Sequence, residues 1–155
     1  MLGAILAVAA VLAKPLPTEF RLIEYASPVY CGGMRGHNIA FTFDDGPSPY
    51  TAQLVRVLAK FHARATFFDI GSRIAYWPDA VREQMRVGEI GNHTWSHPHL
   101  PKLSPKAIRR ELEWTQQELA LVTGTAPRLF RPPYEEATPA IDRTARSLEL
   151  LDVRW

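Results

Sequence analysis

At 155 residues the chain holds one domain and hardly two, since domains run to roughly 100–200 residues each. Its 46% hydrophobic and 22% charged residues are those of an ordinary globular protein with a sizeable core, which excludes intrinsic disorder and a collagen-like rod. Eighteen Lys and Arg against sixteen Asp and Glu leave a net charge of +2, and no block of like charge occurs, so the electrostatic footprint of a nucleic-acid binder is lacking.

In chain order, the first feature is the apolar run Leu2–Ala13, short of the roughly 20 residues a helix needs to span a bilayer. Val11 and Ala13 supply small residues before Lys14, and Pro15 and Pro17 break any helix beyond. The pattern predicts a signal peptide over 1–13, a leader segment over 14–36 and export to the cell envelope or beyond. No Lys or Arg precedes the run, so an uncleaved tether is the alternative; no other membrane contact is expected. The single cysteine, Cys31, has no internal disulfide partner and no CxxC spacing, which reads as an ordinary half-buried residue or one half of an intermolecular pair.

From residue 37 to 155, short β-branched or aromatic runs alternate with segments of helical period. Strands are expected at Asn38–Phe43, Ala65–Ile70, Val87–Gly91, Arg128–Arg131 and Leu148–Arg154, several of them apolar throughout, as in a parallel sheet covered on both faces. Ser48-Pro49, Ser104-Pro105 and Thr138-Pro139 each place a capping hydroxyl before a proline suited to the first helical turn. Pro78 is expected to open a further helix through Arg86. Ile108, Leu112, Leu119 and Val122 form a core-facing stripe that ends at Gly124, with Trp114 and Leu121 expected to pack as well. Such βα alternation puts all the C-terminal strand ends at one edge, where α/β folds build their sites.

Three segments at those ends carry chemistry. Thr42-Phe43-Asp44-Asp45-Gly46-Pro47 holds adjacent carboxylates that repel each other unless a cation or an arginine compensates; the bland alternative is a surface turn. In His93-Thr94-Trp95-Ser96-His97, two imidazoles four apart would share one face of a helical turn, close enough to ligate one ion, although this spacing alone is a weak signal. Thr94 stands where zinc proteases carry Glu, so any base must come from elsewhere. Arg131-Pro132-Pro133-Tyr134 ends a strand with two prolines that stiffen a loop holding a guanidinium. His99 is an extra imidazole nearby, whereas His37 and His62 are expected at ordinary surface or strand-edge positions. Together the three segments make a three-ligand metal site with a carboxylate base and a charge partner.

At these residues the sequence resembles the polysaccharide deacetylases, the NodB-homology family of carbohydrate esterases: Thr-Phe-Asp-Asp-Gly-Pro, His-Thr-x-x-His and Arg-x-Pro-Tyr occur in the family's order over about Asn38 to Trp155. The resemblance implies a distorted (β/α) barrel, a divalent metal, commonly zinc, and hydrolysis of acetyl groups on sugars. It makes Asp45, His93 and His97 the metal ligands, Asp44 the general base, Arg131 the residue that orients this base, and Tyr134 the source of a backbone N–H that stabilises the oxyanion. An acetylated polysaccharide, peptidoglycan or chitin-like, is the implied partner.

Two departures stand out. Glu135 follows Tyr134 where the family often has Gly. The family's Asp-rich fourth motif and its Leu-x-His fifth, source of the acid histidine, do not occur before Trp155, so the domain is expected to be incomplete at its C-terminus, with an unpaired sheet edge. Competing readings are an O-acetyl xylan esterase or small-amide amidase using the same site, and a catalytically dead metal- or glycan-binding remnant; His99 is a minor candidate for a substitute acid.

Overall fold

A computed structural model describes residues 28–30 and 39–154 of the chain. The expected signal peptide (1–13), most of the leader (14–36), Cys31 and His37 lie outside the described residues. In order come β1 (Phe41–Gly46), α1 (Thr51–Lys60), β2 (Ala65–Asp69), a short α2 (Gly71–Ile74), α3 (Pro78–Gln84), β3 (Gly88–Asn92), α4 (Pro105–Thr123), β4 (Leu129–Phe130), α5 (Pro139–Ser147) and β5 (Leu151–Asp152), with single 3-10 turns at Leu100–Lys102 and Pro133–Glu135. The strands form one parallel sheet in sequential order β1-β2-β3-β4-β5, with helical crossovers returning the chain each time, so the α/β expectation holds.

Burial explains the pattern. In β2, Phe67 and Phe68 are both buried although they point to opposite faces, which requires cover on each side. Phe67 packs with Val55, Leu58, Ala65 and Val87, while Phe130 packs with Leu112, Ile108, Leu100, Ile141 and Leu150. Each large apolar side chain removed from water contributes about 1.5–3 kcal/mol, so these clusters hold the strand ends in place.

Several boundaries differ from the sequence reading. β1 runs later than Asn38–Phe43, because Phe41 pairs with Ala65 and the ladder continues through the carboxylates to Gly46. β5 is shorter than Leu148–Arg154, since Leu148 caps α5 and Glu149 takes a left-handed φ of 58°. Ser104 and Thr138 cap their helices through the amides of Ala107 and Ile141, as expected. Ser48 does not: it forms a turn with Tyr50 and Thr51, and α1 starts at Thr51. Gly124, at φ 81°, ends α4 in the left-handed region that suits glycine. Leu121 is 79% exposed because it lies two residues, and so about 200° around the helix, from buried Leu119. Trp114 is half-exposed, with its ring edge against Trp95.

The sheet is not closed, and beside its β5 end one partner residue is present among the described residues. Val29 forms a parallel bridge with Val153, its N–H donating to the Asp152 carbonyl and its own carbonyl accepting from Arg154, both at 2.9 Å. Among the described residues the outer side of β1 has no strand beside it, and Ile39 and Phe41 are exposed there. An apolar unpaired edge invites self-association, and a charge on it opposes pairing. Sedimentation velocity should therefore show concentration-dependent association that Ile39→Lys reduces; equal association of both proteins would place the adhesive surface elsewhere.

Candidate metal and catalytic centre

The centre starts from an irregularity in β1. Successive strand side chains normally point to opposite faces, but the register to β2 jumps from Asp44↔Phe68 to Gly46↔Asp69, leaving Asp45 as an extra residue with φ 64°. The bulge lets both adjacent carboxylates serve one rim. Gly46 must be small, because a Cβ there would strike the buried Asp69 carboxylate. The main-chain carbonyl of Asp45 accepts a hydrogen bond from Arg73.

His93 to His97 form a loop beyond β3 and not the helical turn inferred from their spacing, since Thr94 and His97 have φ of 67° and 57°. Side chains shape the loop. Buried Asn92 accepts from the Thr94 N–H and donates to the Leu112 carbonyl, both at 2.9 Å. Thr94 Oγ1 accepts from the His97 N–H at 3.1 Å, and Glu111 accepts from the N–H and hydroxyl of Ser96. A β-branched residue such as Thr94 is rarely left-handed, and this network over-determines it.

The loop sets the His93 and His97 ring centroids 5.0 Å apart. Asp45 Oδ1 lies 3.5 Å from His93 Nε2 and 3.1 Å from His97 Nε2, and one ligand atom from each of the three falls within 4.8 Å of the others. His93 Nδ1 is 2.7 Å from the Arg131 carbonyl, which can only accept, so Nδ1 carries the hydrogen and Nε2 keeps its lone pair. Burial also pushes the His93 pKa below its usual value, favouring the neutral imidazole a metal requires. Two imidazoles and a carboxylate suit a divalent ion of the zinc type, and Asp45, with its side chain 57% exposed, leaves the site open on one side.

Arg131 stands behind this set. Its buried side chain donates to Asp44 Oδ1 at 2.8 Å, Thr42 Oγ1 at 2.9 Å and the Val153 carbonyl at 3.0 Å, and its guanidinium lies 4.1 Å from the centroid of the Phe68 ring. Tyr134, in the turn after β4, puts its exposed ring 4.7 Å from that of His97. Thus Asp44, Asp45, His93, His97, Arg131 and Tyr134 gather at one rim. His62 is exposed after α1, and His99 pairs with Glu136 at 2.8 Å.

The family model for polysaccharide deacetylases matches residues 32–153. The chain belongs to the polysaccharide deacetylase family. It is 32% identical over 140 residues to a peptidoglycan-N-acetylglucosamine deacetylase of Bacillus cereus, covering 89% of this chain and 51% of the relative. It is 36% identical over 118 residues to a bifunctional xylanase/xylan deacetylase of Cellvibrio japonicus, covering 76% and 18%. Among solved structures, a family 4 carbohydrate esterase from Streptomyces lividans in complex with acetate superposes with a TM-score of 0.74 at 35% identity, covering 79% of this chain and 64% of that one. The chain spans about a fifth to a half of the curated relatives it matches.

Asp69 looks in the sequence like any residue ending a strand, and the structure gives it a further property. It is fully buried, and its carboxyl pKa is pushed up to about 7 by that burial, against which the Gln84 hydrogen bond acts. Gln84 Nε2 donates to Asp69 Oδ1 at 3.1 Å, while Asp69 Oδ2 and Gln84 Oε1 lack partners in the structure. A proton on Oδ2 would spare the buried carboxyl an unpartnered negative charge. The folded state thus retains a proton that the unfolded chain loses between about pH 4 and 7, so stability falls as pH rises through that window and levels off above it. Asp152, raised to about 6 mainly by burial, acts in the same direction, so the difference between wild type and Asp69→Asn isolates Asp69. Urea unfolding should show Asp69→Asn to be the more stable protein at pH 8, by up to roughly 4 kcal/mol relative to the comparison at pH 4, with a flatter pH profile. Parallel profiles would assign the proton to another group.

Proposed function

We propose that the chain is a metal-dependent hydrolase that removes N-acetyl groups from N-acetylglucosamine-containing polysaccharide, peptidoglycan or a chitin-like oligosaccharide. The observation that carries this reading is an Asp/His/His set beside a second carboxylate, Asp44, gripped by a buried arginine 2.8 Å away. Asp45, His93 and His97 would hold the ion, with zinc the best match to the donors. When bound, such an ion polarises the acetyl carbonyl and acidifies water. Asp44 takes the proton of the attacking water, and Arg131 holds it in position to do so. The Tyr134 N–H donates to the carbonyl oxygen as negative charge gathers there. Water adds to the carbonyl carbon, the C–N bond breaks, acetate departs, the amine leaves with a proton drawn from solvent, and Asp44 returns its own proton to solvent.

A polymeric cell-wall substrate fits export, which the apolar segment 1–13 also supports. Among the described residues no helix is long and apolar enough to cross a membrane. The xylan-deacetylase relative favours a second reading, hydrolysis of O-acetyl esters on xylan by the same groups. Acetate release from an N-acetylglucosamine oligomer and from acetylated xylan, measured side by side, separates the two.

Metal content tests the ligands. His93→Ala and His97→Ala should each lose most of their zinc by elemental analysis, whereas His62→Ala should retain it; equal content in all three would place the ion elsewhere.

Turnover tests the base. Asp44→Asn should keep the metal and release acetate roughly 100- to 10,000-fold more slowly. If it loses the metal while Asp45→Asn keeps it, the two aspartates exchange roles.

A further inference from the structure

Beside the metal centre the chain turns through two consecutive left-handed residues, neither of them glycine: Tyr134 at φ 58° and Glu135 at φ 55°. L-residues resist this conformation, and a pair in succession persists only where surrounding contacts over-determine it. Within the turn, the N–H groups of Glu135 and Glu136 donate to the carbonyls of Pro132 and Pro133 at 3.2 and 3.1 Å, bonds that close the turn without selecting its hand. A further set of contacts reaches in from a different loop. The His99 ring stacks on the Tyr134 ring with centroids 4.2 Å apart and planes 12° from parallel, and His99 Nδ1 lies 2.8 Å from Glu136 Oε2. His99 therefore grips the turn on both sides of Glu135, by a stacking contact before it and a polar contact after it. The Tyr134 ring also meets the edge-tilted His97 ring at 4.7 Å, so the same clip abuts a residue of the metal set.

We propose that His99 and Glu136 are positioning residues: they clip the strained Tyr134–Glu135 turn so that the Tyr134 backbone N–H is held toward the metal centre. The catalytic half of this assignment rests on the role proposed above for that N–H; the conformational half does not. Neither residue needs to touch substrate. His99 supplies a flat ring and one nitrogen, Glu136 an acceptor oxygen, and the turn they hold needs no glycine because its conformation is fixed from outside. A glycine at position 135 would adopt the left-handed region freely, and the clip would then matter less.

The test uses the full chain and two readouts. Amide hydrogen exchange at Glu135 and Glu136, which needs neither metal nor turnover, should quicken at least about 10-fold in His99→Ala and Glu136→Ala, while Glu136→Gln, which keeps an acceptor for His99, stays near wild type. In the zinc-loaded protein, His99→Ala should lower kcat for an N-acetylglucosamine oligomer by about 10- to 100-fold, with KM, zinc content and Tm little changed. In a Glu135→Gly background the same His99→Ala change should cost several-fold less in kcat. Unchanged exchange in both alanine variants overturns the clip. Faster exchange with undiminished kcat upholds the clip and overturns the role given to the Tyr134 N–H, so the two failures are told apart. A fall in zinc content or Tm that accounts for the whole loss of rate overturns the positioning role in favour of a structural one.

Discussion

A guanidinium taken out of water must be surrounded by acceptors or it destabilises the fold, and the rim at the strand ends is arranged around that demand. Arg131 meets it with the hydroxyl of Thr42 and the carboxylate of Asp44 from β1, and with the Val153 carbonyl just past β5, while Phe68 from β2 lies under its planar face. Its own carbonyl, on the backbone leaving β4, takes the hydrogen of His93 Nδ1 from the loop after β3. One residue thus links the ends of all five strands and sets both the orientation of a carboxylate and the tautomer of an imidazole. Truncating its side chain would leave Asp44 without its buried partner while keeping the carbonyl that orients His93, so the alignment of Asp44 and the geometry of the Asp/His/His set are separable in principle.

The order of the sheet follows from the same logic. Parallel strands in chain order place every C-terminal end on one side, and short β4 and β5 suffice because the helices α4 and α5 pack on Phe130 and its neighbours. The remaining polar groups near the rim are fixed by local bonds: Asn92 ties the histidine loop to α4, and Glu111 reaches from α4 to hold Ser96. The rigidity of the centre therefore depends on a helix that contributes no ligand to it.

Residues that carry charge or rings were legible in the sequence; the backbone that aims them was not. Adjacent carboxylates before Gly-Pro announce a polar strand end, but side-chain identity says nothing of the bulge that turns Asp45 beside Asp44. The four-residue spacing of His93 and His97 matches both a helix and a loop, and the left-handed Thr94 that decides between them depends on Asn92 and His97 contacts visible only in three dimensions. The apolar character of Leu121 suggests burial, but its angular position relative to Leu119 points it outward. Asp69 offered no signal at all, since its neutral-range carboxyl arises from the depth of β2 and from Gln84, 15 residues away on α3.

Exposure is graded across the Asp/His/His set, with side-chain values of 2% for His93, 21% for His97 and 57% for Asp45. An ion held there would be reached from the carboxylate side, with His93 the most enclosed of the residues that would hold it. The Arg73 bond to the Asp45 carbonyl fixes the bulged backbone from which that carboxylate extends, without restraining the carboxylate directly.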